Sequence, residues 1–173
     1  MKRIESILIS ADEIQKRVHE VAAEISAHYQ GKELHVVGIL NGAFIFLGDL
    51  VKQIEYPCFV HFMRISSYTG TSKAQGIQFW DDLELEDKDV LIVEDIVDTG
   101  DTLKKLITDF QAKKVRSLRV CSFLLKKMES NKELTVDWSC FSVADEWVVG
   151  YGLDVDGYYR NLPYVAIFKN GKN

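Results

Sequence analysis

Apolar residues recur at helical spacing in "ISADEIQKRVHEVAAEISAHYQGK", where Ile14, Val18, Val21, Ala22 and Ile25 share one face and predict the first helix. Ser10, with Glu13 after it, supplies a capping box, and Gly31 supplies the stop. Residues 33–40, "ELHVVGIL", form a nearly continuous apolar run, short enough for a strand covered on both faces. After the break at Asn41-Gly42, "AFIFLGDLVKQI" predicts a second helix and "CFVHFMRI" the next strand. Residues 66–76, "SSYTGTSKAQG", lose all periodicity and fill with Ser, Thr and Gly, the composition of a mobile loop. The acidic run "DDLELEDKD" reads as a solvated turn, followed by a strand in "DVLIVEDI". After Gly100 a third helix places Leu103, Leu106, Ile107 and Phe110 on one face. Further strands follow in "VRSLRVCSFLL" and "VDWSCFSV", then the segments "EWVVGYGLD" and "YVAIF". Alternating strand and helix predicts an α/β domain with a parallel sheet and helices on both of its faces.

Composition narrows the function more than the fold. The 173 residues fit one domain, and 47% hydrophobic with 27% charged residues is ordinary for a globular chain. A net charge of −5 argues against broad affinity for nucleic acid, although a local basic pocket remains open. Cys58, Cys121 and Cys140 are widely separated, lack any Cys-x-x-Cys spacing, and read as reduced buried thiols of a cytoplasmic protein. The N-terminal "MKRIESILIS" has only a short apolar run and predicts neither a signal peptide nor a membrane span. His19, His28, His35 and His61 fall within predicted helix or strand and match no functional pattern.

In a parallel sheet ligands collect beyond the carboxyl ends of the strands, which directs attention to residues 90–103, "VLIVEDIVDTGDTL". Gly100 allows a tight turn, Thr99 and Thr102 bring hydroxyls, and amide N–H groups at the following helix start suit a phosphate. The anion is assigned to the backbone, which leaves the carboxylates for other work. Glu94 and Asp95 are acceptors suited to vicinal hydroxyls, such as a ribose diol, or to a hydrated divalent cation. Asp98 stands where it can exchange a proton with a substrate nitrogen. On spacing alone the same acids also fit a plain N-cap with a charge-complemented first turn.

The whole string resembles the ribose-5-phosphate signature of the type I phosphoribosyltransferases, and the likeness extends along most of the chain toward the hypoxanthine (hypoxanthine-guanine) members that salvage 6-oxopurines. The resemblance implies a type I phosphoribosyltransferase fold over 1–173, with a small hood from roughly 1–12 plus 126–173 and a flexible lid at roughly 66–77. It also implies a Mg²⁺-dependent glycosyltransferase that moves the phosphoribosyl group from phosphoribosyl diphosphate to purine N9. Glu94 and Asp95 would hold the ribose hydroxyls, Asp98, Thr99, Gly100, Asp101 and Thr102 would wrap the 5-phosphate, and Asp98 would be the acid/base facing purine N7. Asp101 occupies the variable place, its side chain expected in solvent. In "GILNGAFIF" the pyrophosphate loop would be Leu40, Asn41 and Gly42, with a cis bond expected between Leu40 and Asn41. Relatives often carry Lys at the position of Asn41, so a cation is lacking there.

By the same resemblance, Ser67 and Tyr68 would close over the reacting centre. Lys126 in "SFLLKKMES" would bond the purine 6-oxo group, while Lys127 faces water. In "ADEWVVGYGLD", Trp147 would stack on the base, Val148 would contact its edge, and Asp154 would help place the metal-bound pyrophosphate. Arg160 in "YYRNL" would clamp that pyrophosphate, and the Mg²⁺ set would be Glu94, Asp95 and Asp154. Read without the resemblance, a solvated lysine pair, a core tryptophan and a surface arginine fit the same residues. The expected partners are a 6-oxopurine and phosphoribosyl diphosphate, with no nucleic acid or membrane, in a homodimer or homotetramer. Two rivals are a binding protein that keeps the pocket without catalysis and an unrelated nucleotide-binding α/β protein whose acid turn is structural.

Overall fold

The computed structural model describes residues 3–65, 77–79 and 84–169. In chain order the elements are β1 (Arg3–Ile9), α1 (Ala11–His28), β2 (Leu34–Leu40), α2 (Phe44–Gln53), β3 (Phe59–Ile65), β4 (Ile77–Phe79), β5 (Asp89–Val97), α3 (Asp101–Ala112), β6 (Ser117–Lys126), β7 (Trp138–Val143), β8 (Val148–Val149) and β9 (Val165–Lys169). Helix α1 starts at the expected cap: the Ser10 hydroxyl accepts the Glu13 N–H at 3.3 Å while the Glu13 carboxylate accepts the Ser10 N–H at 2.9 Å. The reciprocal pair satisfies two of the N–H groups that any helix start leaves unpaired.

The main sheet runs in the order β4-β3-β2-β5-β6-β7, with β4 antiparallel at one edge and the other five strands parallel. The middle stretches of its central strands, such as residues 90–93 of β5, are continuous apolar runs because both faces are covered there. Along β5, Leu91 and Val93 enter the core packed by α1 and α2, whereas Val90 and Ile92 enter the core packed by α3. The chain leaves β2 for β3 on one side and later returns to place β5 on the other. The strand order therefore reverses between β2 and β5, and a crevice opens beyond their carboxyl ends.

A second sheet of order β1-β9-β8 is antiparallel and joins the N-terminal strand to the C-terminal region. Neither β1 nor β4 was anticipated. Strand β1 pairs with β9 through two register shifts, at Ile4/Ser6 and Ile7/Ile9, so its apolar alternation is broken, and β4 spans only 3 residues.

One expectation fails here. The acidic run is not wholly solvated: Leu85 and Asp89 are buried, and Asp89 opens β5 with its carboxylate accepting from Arg116 Nη1 at 3.2 Å and from the Ser117 hydroxyl. Burial of that carboxylate is tolerated because its lone pairs are filled by donors from β6 and the residue before it. No helix among the described residues is long and apolar enough to cross a membrane.

Candidate active site

Three segments converge at the crevice. The first follows β2, where the Leu40-Asn41 peptide bond is cis, Asn41 is exposed and Gly42 is buried. The second is the end of β5 with the turn into α3. The third is the loop of residues 150–154 after β8. Contact between them is close enough to require glycine: a Cβ on Gly42 would overlap the Asp95 carboxylate, and one on Gly152 would overlap the Gly42 carbonyl. Tyr151, between Gly150 and Gly152, is buried and donates its hydroxyl to Asp49 on α2 at 2.8 Å, which ties the third segment to the helix after the first.

Three adjoining cavities result. The largest, about 590 Å³, is bounded by Asp95, Asp98, Lys126, Asp145, Trp147 and Asp154 among others. A second of about 90 Å³ lies in the turn at Asp98, Thr99, Gly100 and Thr102. The third, about 240 Å³, is enclosed by Leu40, Gly42, Asp154 and Arg160. Asp98 borders the first two, Asp95 and Asp154 border the first and third, and Glu94 and Thr102 border the second and third. Together they make one branched site with carboxylates at its branch points.

The carboxylates differ in environment. Glu94 Oε2 is buried without a hydrogen-bond partner, and burial first, then the charge of Asp95, pushes the Glu94 carboxyl well above the usual range. Asp95 is also raised, chiefly by burial, against the opposing pull of the Ile96 N–H at 2.9 Å, its own amide and Arg160. Asp98 is half exposed and accepts from Lys126 Nζ at 3.1 Å; the same ammonium donates to Asp145 Oδ1 at 2.9 Å. Burial alone would lower the Lys126 pKa, but hydrogen bonds to Asp145 and Asp98 outweigh it and hold the ammonium form. An ammonium has three N–H bonds, so one remains for a ligand in the large cavity.

Gly100 takes φ +83° at the mouth of α3, a conformation that suits glycine, and Thr99 Oγ1 bonds Asp101 Oδ2 at 3.1 Å, leaving Asp101 in solvent. Arg160 pairs with Asp154 at 2.6 Å and donates to the Gly152 carbonyl, while the second Asp154 oxygen accepts the Gly157 N–H at 2.7 Å. Trp147 is 61% exposed beside the large cavity, which excludes a core role, and Val148 is buried where β8 pairs with β9.

A family model for the phosphoribosyl transferase domain matches residues 10–156. The hypoxanthine-guanine phosphoribosyltransferase of Bacillus subtilis is 40% identical over 169 residues, 96% of this chain and 94% of that protein. The chain belongs to the hypoxanthine-guanine phosphoribosyltransferases. Solved phosphoribosyltransferase structures agree in shape: the Bacillus anthracis hypoxanthine-guanine enzyme superposes with a TM-score of 0.88 at 34% identity, covering 98% of this chain and 100% of that one. A Staphylococcus aureus hypoxanthine phosphoribosyltransferase does so with 0.87 at 38% identity, covering 96% and 92%.

Within this phosphoribosyltransferase fold the expected residues Leu40, Gly42, Glu94, Asp95, Asp98, Thr99, Gly100, Thr102, Lys126, Trp147, Val148, Asp154 and Arg160 all border the branched site. Asn41 and Asp101 are exposed, and Ser67 and Tyr68 lie outside the described residues. The three acids named for a metal all border the third cavity, Glu94 and Asp95 side by side on β5 and Asp154 engaged by Arg160 and Gly157; no cluster of three or more His, Cys, Asp or Glu side chains that could hold one ion occurs among the described residues. Sequence reading missed Asp145, Glu146, Ile96 and Leu153, which line the large cavity, and Asn131 behind it. The adjacency of Asp145 to Trp147 was a usable signal; Asn131 carried none.

Proposed function

We propose that this enzyme of purine salvage transfers the 5-phosphoribosyl group of phosphoribosyl diphosphate to N9 of hypoxanthine or guanine, giving the nucleoside monophosphate and pyrophosphate. The observation that carries this reading is the branched site, with one arm for each part of the reacting pair. The base occupies the large cavity, stacked on Trp147 and bordered by Val148, with its 6-oxo oxygen accepting the third N–H of Lys126. The 5-phosphate takes the small cavity, held by amides and hydroxyls from Asp98 through Thr102. The diphosphate takes the arm bounded by Leu40, Gly42 and the forked guanidinium of Arg160, with the adjoining Asn41 and Gly42 amides as donors.

In the reaction, N9 forms a bond to ribose C1 while the C1–oxygen bond to the diphosphate breaks, and the proton on N7 passes to Asp98. Asp98 sits beside the Lys126 ammonium, so carboxylate and ammonium face the same edge of the base. Holding base and ribose in line across the leaving group accounts for much of the rate. Water must be kept from the oxocarbenium-like carbon, the task assigned to a lid of residues 66–77 carrying Ser67 and Tyr68. The hood expected from 1–12 and 126–173 is narrowed to the second sheet of β1, β8 and β9 with the base-facing segment beside it, because β7 within that span joins the main sheet.

The donor set fits Mg²⁺ of the kind held by one or two carboxylates plus substrate oxygens and water. The unpartnered buried oxygen of Glu94 beside Asp95 is the supporting observation, and Asp154 borders the same arm. When bound, Mg²⁺ would neutralise charge growing on the departing diphosphate. The three free cysteine thiols support a reducing, cytoplasmic setting, and the assembly proposed is a homodimer or homotetramer.

A spectrophotometric assay with phosphoribosyl diphosphate, Mg²⁺ and each of hypoxanthine, guanine, xanthine and adenine tests the reading. Turnover of at least one 6-oxopurine with none of adenine is expected. Absence of turnover with all three 6-oxopurines refutes it.

A further inference from the structure

Strands β5 and β6 are paired in parallel register as far as Val97↔Leu125. The next residues along the two strands are Asp98 and Lys126, and there the backbone ladder stops. Its place is taken by a side chain. Asn131, at the end of a 3₁₀ turn (Glu129–Asn131), is 8% exposed and donates its amide N–H bonds to the Asp98 carbonyl at 2.6 Å and the Lys126 carbonyl at 2.8 Å. A single buried amide thus bridges the main chains of the two residues whose side chains meet at 3.1 Å in the site.

The segment of residues 130–134 touches the phosphate turn and the helix after it at two further points. Lys104 on α3 donates to the Ser130 carbonyl at 3.2 Å. Leu134 packs so closely on Gly100 that a Cβ at Gly100 would overlap it, and that Cβ would lie 3.4 Å from Asn131 Cβ. The brace therefore has one side on the phosphate turn and the other on the base-facing lysine.

We propose that Asn131 is a positioning residue that fixes the separation of the Asp98 carboxylate from the Lys126 ammonium, and so governs turnover and selection of 6-oxopurines without touching substrate. The proposal rests on the phosphoribosyl-transfer reading above. Its physical basis is that no β5–β6 ladder bond fixes the spacing beyond Val97 and Leu125: Lys126 stays anchored to Val143 of β7, and Asn131 is what ties the Asp98 main chain to it. Displacement of a reacting group by about 1 Å can cost a hundredfold in rate.

The test compares Asn131→Ala and Asn131→Asp with the wild-type enzyme, measuring kcat and KM for hypoxanthine, the ratio of hypoxanthine to adenine use, the pH dependence of kcat/KM, and phosphoribosyl diphosphate affinity by calorimetry. The alanine variant should lose roughly ten- to a hundredfold in kcat/KM for hypoxanthine and show a weaker preference over adenine, with diphosphate-ligand affinity held within about threefold. The aspartate variant keeps the shape but sets acceptor oxygens against two carbonyl oxygens, so it should be at least as impaired as alanine. A space-filling role would instead leave aspartate close to wild type. If the alanine protein does not fold, Asn131→Ser, which keeps one donor, carries the same comparison with a smaller loss. Any folded donor-deficient variant with wild-type selectivity and pH profile overturns the proposal while the activity stands. A wild-type enzyme inactive on every 6-oxopurine refutes the underlying reading instead.

Discussion

On the proposed reading, replacing Lys126 by methionine separates base recognition from everything else the site does. The two side chains have similar length, so the cavity wall keeps its shape while the ammonium between Asp98 and Asp145 is lost. Stability should change little: the partner side chains are 50% and 67% exposed, so solvent screening limits the two ion pairs to at most about 1 kcal/mol together. The effect on the base is larger. A charge-assisted hydrogen bond to the 6-oxo oxygen contributes about 1.5–3 kcal/mol. At about 1.4 kcal/mol per factor of ten, kcat/KM for hypoxanthine should fall by about 10- to 150-fold. Adenine presents an amino donor at the same position, which opposes an ammonium but not a thioether, so discrimination should narrow from both sides. Initial-rate kinetics at saturating phosphoribosyl diphosphate, with calorimetric titration of that ligand and thermal melting as controls, measure all three quantities. A variant that keeps its preference for the oxopurine but loses affinity for phosphoribosyl diphosphate would move Lys126 to the diphosphate arm and refute the assignment.

The remaining expectations probe the acids and the glycine that packs on them. Asp98→Asn should lower turnover by about 10²- to 10⁴-fold under chemistry-limited conditions, with phosphoribosyl diphosphate affinity nearly unchanged, as single-turnover and binding measurements would reveal. Glu94→Gln should stabilise the free enzyme as pH rises. The folded carboxyl titrates above its unfolded value of about 4.3, so the folded state binds more protons in the window above that value and wild-type stability falls through it. Melts of both proteins should coincide near pH 4 and diverge toward pH 8 by about 1–3 kcal/mol in favour of the variant, the cost of an unpaired buried group; equal melts at pH 8 would show that Glu94 carries no such burden. Gly42→Ala should drive the new methyl into the Asp95 carboxylate, costing about 1–3 kcal/mol of overpacking and lowering Tm by about 2–4 °C per kcal/mol, with loss of diphosphate-ligand affinity.

How far these residues were visible in the sequence depends on where their constraints originate. Periodicity is imposed by burial, so α1, β2 and β5 could be read directly: their apolar positions face the two cores on either side of the sheet. Strand β1 was illegible because its register shifts break the alternation that would announce it. Asp89 was misread because a carboxylate in an acidic run gives no local sign that Arg116 and Ser117 will fill its lone pairs after folding. Turn chemistry is local, which is why a tight turn at Gly100 before a helix could be read, and Gly100 does take φ +83° there. The brace at Asn131 was not, since its meaning depends on where two strands 28 positions apart stop pairing. On the proposed reading the crowding of acids around an anion site is no conflict: the anion would be met by main-chain amides, while the carboxyls of Glu94 and Asp95 are raised chiefly by burial. A group that is costly to ionise in the free enzyme gains most when substrate brings a cation to it. On the proposed reading, the instability expected at Glu94 and its service to the diphosphate arm are the same property, and a substitution that relieves one should remove the other.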